Sequence, residues 1–162
     1  MLSPLGYVFQ VRKLPDVNFF LQRVTLPEIS VTPVQQPNPF VKIPHPGDHI
    51  EYNVLDLVFK VDEDMNNYRQ VHNWIRGTGF PEELDEYQEL VSNTSFIGAG
   101  LKSDASLIIT TNLKNPNIEI VFEDAFPTMI GALEFNTTDT TVEYLTCAAR
   151  FSYKLFQIVV LP

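Results

Sequence analysis

Six of the chain's twelve prolines lie within PEISVTPVQQPNPFVKIPHPG, residues 27–47. Proline fixes φ and removes a backbone donor, so this stretch forms neither a helix nor a central strand. It is nevertheless unlike a linker, because Ile29, Val31, Val34, Phe40, Val41 and Ile43 are interleaved with the prolines. A stiff, extended, apolar arm needs a surface to lie against. That surface is either its own domain, which makes the segment a long packed loop, or a neighbouring subunit. Loops this long in a compact domain are usually functional. No basic PxxP signal marks the arm as an SH3-type ligand.

The flanking segments read as strands. Residues 5–14 alternate with Tyr7, Phe9 and Val11 on one face. Residues 17–25 put Phe19, Leu21 and Arg23 on one face and Phe20, Gln22 and Val24 on the other, after a turn at Leu14-Pro15-Asp16. After the arm, residues 50–61 form the clearest strand, with Leu55, Leu57, Phe59 and Val61 facing the core. The opposite face, Tyr52, Val54, Asp56, Val58 and Lys60, is half apolar, as on a sheet that meets a partner. A helix follows over 61–77, with Asp62 or Asp64 as its N-cap and an acidic first turn. Met65, Tyr68, Val71, His72 and Ile75 recur at helical spacing, and Gly77 is the expected stop. Residues 80–91 hold five acids and no base, and read as a short helix or docked loop; 92–105 read as loop.

The last third returns to sheet. Residues 106–112 and 118–124 form a hairpin. The second strand breaks at Asp124-Ala125-Phe126-Pro127 and resumes as Leu133-Glu134-Phe135, so Phe126-Pro127 is a corner from which Pro127 ends pairing. Leu145, Cys147, Ala149, Phe151, Tyr153 and Leu155 then share one face of a long strand. Strands, one good helix and strands again make an antiparallel β-sandwich or distorted barrel with one flanking helix. The 162 residues fit a single domain, 1–162, carrying the arm at 27–47.

Little in the sequence carries chemistry. His45 and His49 sit in a Pro-Gly loop without a third metal ligand, and His72 reads as a core-edge residue. Consecutive acids such as Glu123-Asp124 fit caps and turns better than a catalytic pair, which needs separated environments. There is no glycine-rich phosphate loop, no G-x-S-x-G and no C-x-x-C. Cys147, the one cysteine, reads as a small core residue, and internal disulfides are excluded. No cofactor or metal is expected. A formal net charge of −9 disfavours gripping nucleic acid, yet an acidic wall would let a polyanion pass without sticking. With no signal sequence and no long apolar run, the expectation is a soluble protein of a reducing compartment, with the Asn93 and Asn136 sequons chance matches.

The order of features resembles the tail tube protein family of contractile-tailed (myovirus) bacteriophages. Four stretches carry the likeness: the opening Phe9-Gln10-Val11 strand, the Leu26-Pro27 entry to the arm, PGDHIEYNVLDLVFKVDEDMNNYRQVHNWI (46–75), and FEDAFPTMIGALEFNTTDTTVEYLTCAARFSYKLF (122–156). The resemblance covers residues 6 to 156; 80–105 match nothing in it, and the chain is short before its first strand. It implies a structural subunit and not an enzyme. Such subunits form homo-hexameric rings that stack into a tube, with strands closing a continuous barrel around a lumen for viral DNA. Tail sheath and baseplate proteins would be partners. The location would be the virion tail, after assembly in the host cytoplasm. Val34, Phe40, Val41 and Ile43 of the arm, with Phe126 and Met129 of the corner, would then be covered by neighbouring subunits. A baseplate tube initiator or a tube terminator or adaptor of the same fold is the nearest alternative. A monomeric barrel binding a small molecule, and a hydrolase with paired carboxylates, are alternatives of other kinds.

Overall fold

The computed structural model describes residues 6–14, 17–18, 20–79, 85, 100–111, 113–136 and 144–161. Its main body is one seven-stranded antiparallel sheet folded over on itself. The strands are β1 (Tyr7–Val11), β2 (Leu21–Thr25), β7 (Leu55–Lys60), β8 (Ser103–Thr110), β9 (Pro116–Ile130), β10 (Thr146–Ser152) and β11 (Leu155–Val160). Four shorter strands, β3 (Ile29–Val31), β4 (Val34–Gln36), β5 (Ile43–His45) and β6 (Ile50–Tyr52), form the arm. A helix, α1 (Asn66–Gly79), packs against β9.

β9 is the strand that both layers share. Its first half lies between β8 and β11, and its second half pairs with β10. The β10–β11 run turns the same corner beside it, where the Lys154 amide donates to the Glu123 carbonyl at 3.0 Å. Asp124 makes the bend with a φ of 55°, a left-handed conformation that aspartate tolerates better than most residues. Phe126-Pro127 therefore does carry the chain between layers, but without the expected break. Pro127 lies opposite Phe151 inside the ladder, beside a register shift at Arg150–Phe151. A proline survives there because this half of β9 pairs on one side only. The expected strand at 133–135 does not form; those residues follow β9 without a ladder.

Period-two alternation fills the space between the layers. Leu55, Leu57 and Phe59 of β7 face Cys147, Ala149 and Phe151 of β10, and meet Phe9, Val11, Leu107, Ile120 and Phe122 from the other layer. Leu14 and Val17, on a connecting turn, are buried as well. β2 departs from simple alternation. A bulge between Leu21 and Arg23 turns Leu21 and Val24 inward together, so the expected Phe19/Leu21/Arg23 face does not exist as one face; Phe19 lies outside the described residues. The expected strand 50–61 is two strands, because β6 pairs within the arm and β7 within the body.

α1 begins at Asn66, with no acid in its first turn. Asp62–Met65 form a separate turn before it, in which Met65 has a φ of 53°. Fully buried Asn67 joins β7 to the helix: its Nδ2 donates to the Lys60 carbonyl at 2.7 Å and its Oδ1 accepts from the Tyr68 amide at 2.8 Å. The packed stripe is Asn67, Val71, Trp74 and Gly77. Gly77 is thus a contact residue and not the stop, and His72 is exposed and not at the core edge. Trp74 Nε1 donates to the Leu101 carbonyl at 2.9 Å, and its ring meets Phe151 edge-on at 6.2 Å. The acidic 80–91 segment, Asp85 apart, and most of 92–105 lie outside the described residues; Ser103–Ala105 are strand, not loop.

Leu57 is 1% exposed between Ala149 and Val24. A carboxylate there would be buried without a partner, at a cost of several kcal/mol against a total stability of about 5–15 kcal/mol. Leu57→Asp is expected to lack the native near-ultraviolet circular dichroism and the cooperative melt of the parent chain.

Candidate assembly interface

β2 and β7 are direct neighbours, and the chain between them leaves the body as a two-tier hairpin. The lower tier pairs β3 with β6, and the upper tier pairs β4 with β5. The prolines punctuate it. Pro33 and Pro46 lie between the tiers, Pro37 and Pro39 at the tip, and Pro44 within three-residue β5. Gly47 is needed at the break: a Cβ there would lie 2.0 Å from the Thr32 carbonyl oxygen. Every residue from Glu28 to Glu51 except Gly47 is exposed, and none belongs to the hydrophobic core. The arm is therefore not a loop packed on its own domain.

Val34 and Ile43 lie on the strands of the upper tier and Phe40 and Val41 on its tip, all exposed, Phe40 95% so. Phe126 and Met129 belong elsewhere, on the second half of β9. Phe126 is half-buried and packs against the chain's own core, whereas Met129 is exposed opposite Arg150. His45 Nε2 lies 2.7 Å from Gln36 Oε1 across the upper tier, and His49 Nδ1 lies 2.7 Å from Asp48 Oδ1. Among the described residues no three His, Cys, Asp or Glu side chains converge as metal ligands. Burial pushes the Cys147 thiol up, away from the reactive thiolate.

An aromatic cluster holds the arm's root. Tyr52 meets Tyr153 at 6.0 Å and Phe156 at 5.7 Å, both edge-on, and Phe122 meets Tyr153 at 5.1 Å. The Tyr153 hydroxyl donates to the Asn53 carbonyl at 2.8 Å. Burial, and then the neighbouring Tyr52 phenol, push Tyr153 up to about 12. These residues are a hundred positions apart, so no spacing in the sequence reveals the cluster.

The body leaves strand edges open. β1 and β11 end one layer, and β2 and the second half of β9 end the other. β1 and β2 touch through the Tyr7 hydroxyl, which donates to the Gln22 carbonyl, beside an open cleft lined by Tyr7, Phe9, Val11, Asn18 and Leu21. Along β11, Ile158, Val159 and Val160 are exposed, and residues 155–161 carry no charge. Charges and prolines are the usual protection of a free edge, and this one has neither. The outer face of β7 and β10 is mixed, with Arg150 Nε 2.8 Å from Asp56 Oδ1 next to the Val58–Ala148 pair.

A filled sandwich with bare edges and an apolar arm outside its own core defines a structural protein of assemblies. The chain belongs to the phage tail tube protein family, whose model matches residues 6–159. Solved structures with the same fold come from contractile injection machines. A chain of the PVC sheath–tube complex in the extended state is 12% identical, with a TM-score of 0.63 over 99% of this chain and 93% of that one. A chain of the PVC sheath/tube terminator is 12% identical, with a TM-score of 0.64 over 98% and 96%. A chain of the anti-feeding prophage baseplate is 10% identical, with a TM-score of 0.59 over 94% and 90%. No curated protein sequence matches this chain. The protein is thus a structural protein of the phage tail tube family, and not an enzyme.

The arm's root and its inter-tier break can be tested separately. Tyr153 holds its proton more tightly folded than unfolded, where a phenol titrates near 10. Its contribution to stability is therefore intact below about pH 10 and is lost as pH rises through about 12. Burial pushes Tyr7 up as well, so an ultraviolet phenolate titration should show late ionisation of which Tyr153→Phe removes one tyrosine's share. Gly47→Ala should alter amide exchange across Val31–His49 while the melting temperature moves by only about 1–2 °C, since the core is untouched.

Proposed function

We propose that this chain is the repeating subunit of a bacteriophage contractile tail tube. Six copies close a ring, and rings stack into a tube whose lumen passes viral DNA. The single observation that carries this reading is the arm: a stiff apolar hairpin, exposed throughout, on a body whose own core is already filled. Open edges on β1, β2 and β11 support it, since pairing them between copies would continue each sheet into the next subunit. A net charge of −9 supports a lumen that repels phosphate and so binds no DNA specifically. On this reading the tail sheath and baseplate are partners, the chain assembles in the host cytoplasm as one domain, and it ends in the virion tail. Val34, Phe40, Val41 and Ile43 form the inter-subunit contact, with Met129 and the outer side of Phe126 at a second.

A second reading is favoured by the similarity to chains of a baseplate and of a sheath/tube terminator structure. An initiator or terminator of the same fold would make single rings, whereas the repeating subunit adds to itself without limit. A small-molecule carrier fits less well, because Phe59, Phe122 and Phe151 fill the space between the layers.

Negative-stain electron microscopy of the purified chain over a concentration series, with light-scattering mass, separates these readings. Tubes of unlimited length are expected; single rings of fixed mass would favour the initiator or terminator. The double variant Phe40→Asp, Ile43→Asp should fold with the parent's circular dichroism and melt but remain monomeric. If that variant is unfolded, the arm belongs to the subunit's own core.

A further inference from the structure

The core-facing residues of the β1–β8–β9–β11 layer stand in cross-strand rows. The rows are Val11–Ala105–Phe122–Phe156, Phe9–Leu107–Ile120–Ile158 and Tyr7–Ile109–Ile118–Val160. Within the middle row Phe9, Leu107 and Ile120 are 3%, 6% and 2% exposed, and then Ile158 is 59% exposed. Val160, at the end of the last row, is 73% exposed. The core-facing side of β11 is thus apolar but uncovered beyond Phe156.

The arm's lower tier has a matching face. Ile29 lies opposite Tyr52 and Val31 opposite Ile50, so these four share one side, while Ser30 and Glu51 share the other. Tyr52 belongs to both surfaces, since its ring also rests on Phe156 at 5.7 Å. The arm face and the β11 face therefore run into one another through Tyr52 and Phe156. We call the junction an apolar elbow: the arm face continues from Tyr52 to Ile29 and Ile50, and the β11 face from Phe156 to Ile158 and Val160.

We propose that this elbow seats the arm tip of a second copy of this chain, centred on Phe40. The inference rests on the assembly reading above and adds to it the receiving site. The occupant must be apolar and nearly uncharged, because the elbow lacks charge on its β11 wall, where residues 155–161 carry none. The arm fits: from Ile29 to Gly47 its only formal charge is Lys42. Phe40 and Val41 are 95% and 62% exposed, so seating them removes a large ring and a branched side chain from water. The free edge of β11 lies alongside, able to take backbone hydrogen bonds from an extended segment. Plug and socket lie at different places on one chain, so the contact is heterologous. Such contacts close rings or propagate as stacks and do not stop at a dimer.

The test uses two single-cysteine chains, Phe40→Cys and Ile158→Cys, both at exposed positions that leave the core intact. Native Cys147 is buried and stays out of the reaction. The two are mixed in equal amounts at assembling concentration, oxidised mildly and run on non-reducing gels. A disulfide needs Cα atoms within about 7 Å, so it forms only if the tip sits in the elbow. The expected result is a covalent dimer in the mixture and none in either chain alone. Rings or tubes without the mixed dimer, or dimers from Phe40→Cys alone, would overturn the elbow as the seat and leave the assembly reading standing. A chain that stays monomeric at every concentration overturns both. As a second measurement, Ile158→Asp should raise the concentration needed for assembly at least tenfold with the monomer's melting temperature unchanged.

Discussion

β9 passes from one layer to the other without giving up its neighbours, and the rest of the molecule is arranged around that passage. A strand that bends at Asp124 keeps β8 and β11 on its first half and takes β10 on its second. Because β10–β11 bends with it, the two layers are joined by continuous backbone on this side and by a side-chain hydrogen bond at Tyr7 on the other. The corner also decides where the arm points. Tyr153 and Phe156 sit just past the bend of β10–β11, and they are the residues on which Tyr52 rests. A bend in one strand pair thereby sets the exit direction of a hairpin inserted between two other strands.

The arm root turns an otherwise loosely held hairpin into a directed one. A two-stranded ribbon is marginal alone in water. Here the lower tier is tethered by the aromatic cluster and by the Tyr153–Asn53 hydrogen bond, and the Asn53 amide in turn donates to the Glu28 carbonyl at 3.1 Å. Proline limits the freedom of the rest. Less conformational entropy is then left to lose when the arm is covered, which favours binding through preorganisation.

Much of the body was legible in the sequence because burial there follows a period of two. Leu55-Leu57-Phe59, Phe9-Val11 and Cys147-Ala149-Phe151 all face where alternation puts them. The errors lie where a local irregularity breaks the period. The Leu21–Arg23 bulge shifts β2 by one residue, and the bend at Asp124 imitates the end of a strand. Gly77 and His72 were misplaced for another reason. The helix begins at Asn66, later than the acidic run suggests, and its buried stripe is centred on Asn67 and Trp74, a polar residue and a tryptophan that pattern-matching on aliphatics passes over. Of the interface, the arm's apolar character was visible, since prolines and aliphatics alternate in plain sight. The elbow was not, because it joins Tyr52 to Phe156 through the fold alone.

Bare edges are hazardous in any free chain, and here the hazard is managed unequally. The arm's strands are three residues long and broken by Pro33, Pro44 and Pro46, so two free arms cannot build a long ladder with each other. A net charge of −9 adds general repulsion between subunits. β11 keeps six residues of continuous strand without charge or proline, and β1 keeps five. Specificity then comes from the difference between the two surfaces. The arm offers side chains but little ladder, and β11 offers ladder and an apolar face, so each supplies what the other lacks. In the proposed seat both are satisfied by one head-to-tail contact, and repetition of such a contact would build a ring or a tube from one kind of chain.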